Sequence, residues 1–366
     1  MAAVIVGTGI AVPPHVVSNE ALTRIMDTSD EWIRSRTGVV SRRFVEPGTA
    51  ASDLGAEAAT AALADAGVGT VEVDSVICAT MTPDRQNPGI AGAVQHKSGI
   101  ERVATFDLRQ QCAGFLFGLD LADMLIATDR ADTVLVVGAE VHAGYLPWGN
   151  AWDIVLGRTH RPVTDDEREL ANRHRAWSVL FGDGAGAAVV KRHNPSASAG
   201  GGQPVGFLAS VLYTDGANAD LIEVPGLGSL HRPYVDAAQI AEGLHRPAMN
   251  GGGLYRLAVE TMPEAVLEVL TRTGHKLGDL DVVVAHQANE RILDGVRRRL
   301  GADESVVPSN IDRWGNTTAG TLPILFHELR SADRVGPGSL VAFTSFGAGA
   351  HWGATLYREP GRTALL

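Results

Sequence analysis

The feature that most constrains this chain is that it is written twice. A helix-patterned stretch, Ala51–Ala66, leads into the apolar run Val73-Asp74-Ser75-Val76-Ile77-Cys78-Ala79. In the second half, Leu254–Thr273 leads into Leu280-Asp281-Val282-Val283-Val284-Ala285-His286, with Asp281 standing 207 positions after Asp74. In both copies a helix then ends on a glycine pair, Ser98-Gly99 and Leu300-Gly301. A short strand and a polar turn opening a buried helix follow, the turns being Gln111-Cys112-Ala113-Gly114 and Gly315-Asn316-Thr317-Thr318. Each copy closes with a strand ending in glycine, Thr133–Gly138 and Leu340–Gly347. Five elements recurring in one order at shifts of 202 to 209 residues mark an internal duplication.

The elements themselves are β-branched runs alternating with Ala/Leu-rich helices, the pattern of an α/β protein. The clearest strands are expected at Val71–Ala79, Asp132–Gly138, Ala187–Lys191, Leu280–Ala285 and Ser339–Ser345. The duplication divides the chain into halves at 1–190 and 191–366, the first carrying an inserted segment at about 145–173. Gly200-Gly201-Gly202, within Ser196–Pro204, reads as a surface loop. At 366 residues and 45% hydrophobic composition, the chain has enough apolar material for two domain-sized cores.

A net charge of −11 argues against a nucleic-acid binder. No apolar run approaches the ~20 residues that span a bilayer, so no membrane partner is expected. The opening Met1-Ala2-Ala3-Val4-Ile5-Val6-Gly7 reads as a strand entering a glycine turn, not as a signal peptide, which makes a cytoplasmic location the expectation. Two cysteines, Cys78 and Cys112, cannot form a disulfide framework in a chain of this length. The histidines outside 286 show no metal-ligand spacing, and no metal site is expected.

Duplication also bears on function, because two-fold-related copies bring equivalent turns face to face. One turn carries Cys112, the other carries Asn316, and His286 ends the repeated strand of the second copy. A thiol, an imidazole and an amide at one point are a set for nucleophilic catalysis. Cys112 stands where a helix begins, and the helix dipole is expected to lower its pKa. Cys78, inside an apolar strand, reads as core. Gly182-Asp183-Gly184-Ala185-Gly186 precedes a strand rather than opening a helix, so it fails the context of a dinucleotide loop.

Six segments in order resemble the β-ketoacyl-acyl-carrier-protein synthase III group of the thiolase superfamily. They are Asp27-Thr28-Ser29-Asp30-Glu31-Trp32-Ile33 with Arg36-Thr37-Gly38, Cys112-Ala113-Gly114-Phe115, Phe181-Gly182-Asp183-Gly184-Ala185-Gly186, His286-Gln287-Ala288-Asn289, Gly315-Asn316-Thr317 and Phe346-Gly347-Ala348-Gly349. The resemblance runs from near Val4 to near Tyr357. It implies a thiolase fold, a five-layer α-β-α-β-α body with two mixed sheets around buried helices. It also implies a decarboxylating condensation, in which Cys112 takes an acyl group from an acyl-coenzyme A or acyl-carrier-protein thioester and a malonyl thioester is the second substrate.

By the same resemblance His286 and Asn316 hydrogen-bond the malonyl thioester carbonyl, and the backbone N–H groups of Cys112 and Ala348 hold the oxyanion. Trp32, Arg36 and Arg175 flank the coenzyme A or phosphopantetheine entrance, and Asn289 lies along the pantetheine arm. Coenzyme A and phosphopantetheine thioesters are substrates, with no bound cofactor. Arg291, Arg298 and Arg299 on one helix suit the docking of an acidic acyl-carrier protein, and a homodimer is implied.

The chain departs from the family pattern in three places. Asn87 stands where short-chain members carry a large aromatic that closes the acyl pocket across the dimer, which points to a medium or long acyl group. Tyr145–Arg173 is a longer connection with Trp148 and Trp152, read either as a lid over the entrance or as a surface helix. Ala348 replaces the middle glycine of its turn, where a positive φ would be strained. Two other readings differ from condensation: an acyltransferase passing the group to an alcohol or amine, and a thioester-binding partner subunit, which would not need the intact triad.

Overall fold

The computed structural model describes residues 2–193 and 203–361; the expected 196–204 loop lies, through residue 202, outside them. The first half builds a five-stranded sheet from β1 (Ala2–Ala11), β2 (Ser75–Ala79), β3 (Ala104–Leu108), β4 (Thr133–Glu140) and β5 (Gly184–His193). The second builds a four-stranded sheet from β6 (Gly206–Thr214), β7 (Val282–Ala285), β8 (Leu340–Gly347) and β9 (His351–Arg358). Their orders are β1-β5-β4-β2-β3 and β6-β9-β8-β7. Pairing is antiparallel along β1-β5-β4 and β6-β9-β8, then parallel for β4-β2-β3 and β8-β7. One sheet is the other with its last strand missing.

That missing strand corrects the sequence reading, which placed a short strand after Leu300-Gly301. Residues 303–307 instead form a turn closed by Val306 and Val307 N–H bonds to the Asp303 carbonyl, with Pro308 following. Only the Val283 N–H reaches Val306 O, at 2.7 Å, where a fifth strand would run. Val71–Ala79 is likewise shorter, a 3₁₀ turn at Thr70–Glu72 preceding β2. The repeat otherwise holds to single hydrogen bonds. The Asp74 carboxylate accepts from Thr133 N and the Asp281 carboxylate from Leu340 N, while each aspartate's own N–H bonds the carbonyl of that same partner.

Five layers result. Helix α1 (Asp30–Thr37) lies to one side, and α2 (Ala51–Ala66) with α3 (Ala91–Lys97) covers the outer face of the first sheet. Between the sheets lie α4 (Gly114–Ala127) and, after α5 (Asp165–Arg173), α6 (Gly251–Thr273) and α7 (Glu290–Leu300), the last helix α8 (Thr321–Ser331). Helices α6 and α7 cover the second sheet's outer face. Along β4, Val134 and Val136 face the central layer while Leu135 and Val137 face α2, so both sheet faces are buried and the strand reads as one continuous apolar run. Cys78 belongs to the outer cluster with no solvent exposure. Among the described residues no helix is long and apolar enough to cross a membrane.

The halves meet backbone to backbone. A Cβ at Gly138, the sixth residue of β4, would stand 2.2 Å from the Ala319 carbonyl oxygen of the second copy. A Cβ at Gly347, the end of β8, would stand 2.5 Å from Gln110 O and 3.1 Å from Cys112 N of the first. Each copy thus lends a glycine to the other's turn. Gly138→Ala is expected to destabilise the protein by about 1–3 kcal/mol, as overpacked cores do. Gly92→Ala, whose Cβ meets open space in α3, should cost nothing. Urea unfolding of both variants checks this, and equal midpoints would refute the close approach.

Candidate active site

The two turns face each other under these glycines. In the first copy a 3₁₀ turn, Gln111–Ala113, runs into α4; in the second, Thr318–Gly320 runs into α8. Gln111 and Thr318 take the same left-handed conformation, φ 51° and 45°, a strain that non-glycine residues bear where the fold over-determines them. That pairing makes Ala319, not Asn316, the counterpart of Cys112. Asn316 belongs to the approach of its turn.

Cys112, His286, Asn316, Asn289, Gln111 and Ala348 line one cleft enclosing about 740 Å³ of empty space. His286 leaves the end of β7 and is 2% exposed, its N–H bonded to Thr344 O at 2.9 Å. Its Nδ1 lies 2.7 Å from Thr321 Oγ1, and that hydroxyl lies 2.9 Å from Thr318 O. Burial pushes the imidazole down to about 3, so it is neutral at any physiological pH. The Asn316 Oδ1 accepts from Thr318 N at 2.8 Å, which turns its NH₂ towards Ala288 O and the cleft.

Cys112 corrects the expectation of a lowered pKa. Burial and the nearby Glu140 carboxylate push the thiol up to about 12, and only its own backbone N–H works against the rise. The dipole argument fails because a single 3₁₀ turn separates the thiol from α4 and the surroundings are apolar. The sequence reading passed over Glu140. It is fully buried at the end of β4 and receives Thr82 Oγ1 at 2.7 Å, Met81 N at 3.0 Å, Thr82 N and Thr80 Oγ1 at 3.1 Å and Ala319 N at 3.4 Å. A lone acid closing an apolar strand was its signal. Thr321 was missed with no signal in the sequence.

Ala348 is also corrected. It shows no positive φ; Gly349 takes the unusual conformation instead, at 136°. Gly347 keeps the Ala348 turn against the Cys112 backbone, so both N–H groups belong to one wall.

Trp32, outside the lining of the cleft, has two guanidinium groups over its ring, Arg36 at 4.6 Å and Arg175 at 4.3 Å, and Arg175 also donates to Asp27 O. Asn289 caps α7 through Oδ1, which accepts from Ile292 N, leaving its NH₂ for a ligand. Arg291, Arg298 and Arg299 are exposed on α7; the first two gather on Tyr255, and Arg299 reaches Glu264 at 3.9 Å. Asn87 is exposed and does not line the cleft of its own chain. In the inserted segment Trp148 and Trp152 pack edge-on to Phe44 at 5.6 and 5.1 Å, and α5 is tied to Asp27 through Arg168 and Asn172. These tryptophans anchor the segment to the core.

The inner wall is apolar: Met81, Phe181, Phe346, and the row Leu254, Ala258, Met262 spaced by four along α6. Met249 and Ile222, paired in a two-residue ladder, close the outer side.

Comparison with known proteins places this geometry. Residues 270–359 match the family model described as 3-oxoacyl-[acyl-carrier-protein (ACP)] synthase III C terminal, and residues 34–151 match the thiolase N-terminal domain. A beta-ketoacyl-[acyl-carrier-protein] synthase III of Symbiobacterium thermophilum is 39% identical over 358 residues, 97% of each chain. One of Rhodospirillum rubrum is 39% identical, covering 97% of this chain and 98% of its own. Among solved structures, the 3-oxoacyl-(acyl carrier protein) synthase III of Pseudomonas aeruginosa superposes with TM-score 0.81 at 34% identity, covering 98% of this chain and 99% of its own. The priming β-ketosynthase of the R1128 polyketide pathway superposes with TM-score 0.80 at 30% identity, covering 98% and 97%.

The Cys112 thiol, held protonated, is expected to react slowly with iodoacetamide at pH 8 and faster as the pH rises towards about 12. Glu140→Gln removes a neighbouring negative charge and should raise the pH 8 rate at Cys112, read by peptide mass mapping. An unchanged rate would show that the carboxylate does not act on the thiol.

Proposed function

Because the chain belongs to the β-ketoacyl-[acyl-carrier-protein] synthase III family and has its thiolase fold, we propose specific parts for its residues in an acyl-thioester condensation. It is an acyltransferase of the condensing type. The observation that carries the assignment is the convergence of Cys112, His286 and Asn316 on one apolar cleft from two copies of one fold unit. Relatives named as synthases over 97% of the chain leave little room for transfer to an alcohol or amine without carbon–carbon bond formation.

In the first half-reaction the Cys112 sulfur attacks the acyl thioester carbonyl while its proton passes to His286 Nε2. The N–H groups of Cys112 and Ala348 hold the oxyanion, and the departing coenzyme A or pantetheine thiolate takes the proton back. A resting ion pair is not required; with the thiol near 12 and the imidazole near 3, both partners wait neutral. In the second half-reaction the malonyl thioester loses carbon dioxide. The electrons of the broken bond pass to the thioester oxygen, which accepts from His286 Nε2–H and Asn316 Nδ2–H. The enolate carbon attacks the acyl-cysteine, and the tetrahedral adduct expels Cys112 as a thiolate, which takes up one proton from water to restore the thiol as the β-ketoacyl product forms.

His286 therefore needs a bare Nε2 first and a protonated one afterwards. The Thr321 hydroxyl has one proton and two acceptors in reach, Thr318 O and His286 Nδ1. Donating to the carbonyl leaves the imidazole proton on Nδ1 and Nε2 bare; donating to Nδ1 leaves the proton on Nε2. Thr321 is a positioning residue in this scheme.

Further parts of the reading rest on other observations. The methionine-rich wall of Met81, Met249 and Met262 adapts to chains longer than acetyl. β3 pairs on one side only and exposes Ala104, Thr105, Phe106 and Asp107, an edge suited to a second copy in a homodimer. Asp107 accepts from Ile90 and Ala91 N–H, so the loop carrying Asn87 sits at that edge, beside where a partner's cleft would lie. Trp32, Arg36, Arg175 and Asn289 would receive the coenzyme A or pantetheine arm. Arg291, Arg298 and Arg299 would receive an acyl-carrier protein, and the chain would act in the cytoplasm on dissolved thioesters. The halves at 1–190 and 191–366 would act as one catalytic body.

Incubation with acyl-coenzyme A thioesters of two to sixteen carbons should give one adduct by intact mass, absent in Cys112→Ala and favouring eight carbons or more over acetyl. No adduct with any donor would sink the first half-reaction. Thr321→Val is expected to lower malonyl decarboxylation by about 10–100-fold, the usual cost of losing an orienting partner. Thr321→Ser should restore the rate, and ¹⁵N shifts of His286 should report a changed tautomer only in the valine variant.

A further inference from the structure

Beside Trp32 the chain gathers positive charge that its own acids do not balance. Arg173, His174 and Arg175 follow one another at the end of α5, and His245 and Arg246 approach from the segment ahead of α6. Arg173 pairs with Glu169 one turn back, at 2.8 Å. Among the described residues, neither Arg175 nor Arg246 has a carboxylate within 4.0 Å, and His245 Nδ1 is buried with no hydrogen-bond partner. In a chain of net charge −11, such a cluster is out of keeping with its surroundings.

The hydrogen-bond chemistry of His174 is incomplete. Trp177 Nε1 lies 3.3 Å from its Nδ1, and Arg246 lies 3.3 Å from its Nε2. Indole and guanidinium are donors only, whereas a neutral imidazole has one accepting nitrogen. With the Trp177 N–H on Nδ1, the ring proton sits on Nε2, and Nε2–H faces the Arg246 N–H donor to donor. Two donors facing each other at 3.3 Å leave the pair without an acceptor, a role that an anionic oxygen seated beside both would fill. Burial and the neighbouring positive charges push His174 and Arg246 down from their usual basicity. Arg246 and His245 line an open cleft together with Tyr145, Leu146 and Leu170 of the inserted segment.

We propose that His174, His245 and Arg246 form a phosphomonoester site, its oxygens accepting from His174 Nε2–H and bidentately from the Arg246 guanidinium. The site adjoins Arg175, which stacks on Trp32. Resting on the thioester reading above, the occupant is the ribose 3′-phosphate of coenzyme A. A carrier-bound phosphopantetheine lacks that group, so the site favours the free coenzyme thioester as the acyl donor.

Calorimetric titration of the full chain with coenzyme A and 3′-dephospho-coenzyme A tests this. The wild type should bind coenzyme A about tenfold tighter, the value of one or two hydrogen bonds to a charged group. In Arg246→Ala the two affinities should become equal through a loss on coenzyme A alone, with an unchanged circular dichroism spectrum and melting temperature as the control for folding. Arg246→Lys, keeping charge but not the fork, should retain part of the preference. Equal binding of the two coenzymes by the wild type overturns the coenzyme assignment, and a preference that survives in Arg246→Ala overturns the site. Should inorganic phosphate bind the wild type but not Arg246→Ala while the coenzymes bind equally, the site takes free phosphate and the assignment is likewise overturned. Acylation of Cys112 by an acyl-pantetheine, measured on the wild type, keeps the thioester reading separate: its failure would indict that reading and not the phosphate site.

Discussion

Everything at the catalytic cleft depends on two backbone contacts that only glycine permits. Gly138 lets the second copy's turn rest on the first copy's central strand, and Gly347 lets the first copy's turn rest on the second's. A side chain at either would meet a carbonyl oxygen of the other copy's turn, at 2.2 Å for Gly138 and 2.5 Å for Gly347, and the turn would have to give way. Because the contacts are reciprocal, the turns cannot move independently. The strained Gln111 and Thr318 are held by the same closure. Geometry that a single domain would have to secure with side-chain networks is here secured by packing main chain on main chain.

The electrostatics follow from that closure. A dry, apolar pocket formed between two sheets penalises every charge in it, so the thiol and the imidazole both rest neutral. Burial raises Glu140 as well, and five donors work against that rise, one of them, Ala319 N, from the other copy. Its carboxylate joins the halves and at the same time works against a thiolate at Cys112. The site gains stabilisation where charge develops on a substrate oxygen and none where it would sit on the resting enzyme.

Much of this was legible in the sequence. The duplication, the class of fold and the convergence of Cys112, His286 and Asn316 all follow from repeated local patterns, because a buried strand or a polar turn marks itself in the residues that form it. The thiol's basicity did not, since its surroundings come from Glu140 and from distant apolar residues that no local window contains. The missing fifth strand of the second sheet was hidden too, as Asp303 and Pro308 turn an apolar Val306-Val307 pair that reads well as a strand. Thr321 gave no sign, because a threonine opening a helix is ordinary until an imidazole lies across from it. How the inserted segment is held was hidden as well, because the partner of Trp148 and Trp152 is Phe44, more than a hundred residues away.

The lost strand also decides where the two sheets stay open. Had both sheets kept five strands, the molecule would carry a second open edge equivalent to β3. The remaining ends, β1 and β6, already cover each other, with Ala3 O lying against Gly206. At β7 the ladder stops in the turn at 303–307, while at β3 it stays open. A gene duplication left symmetric would have kept two such edges; the erosion of one short strand leaves β3, among the described residues of the two large sheets, as the open one.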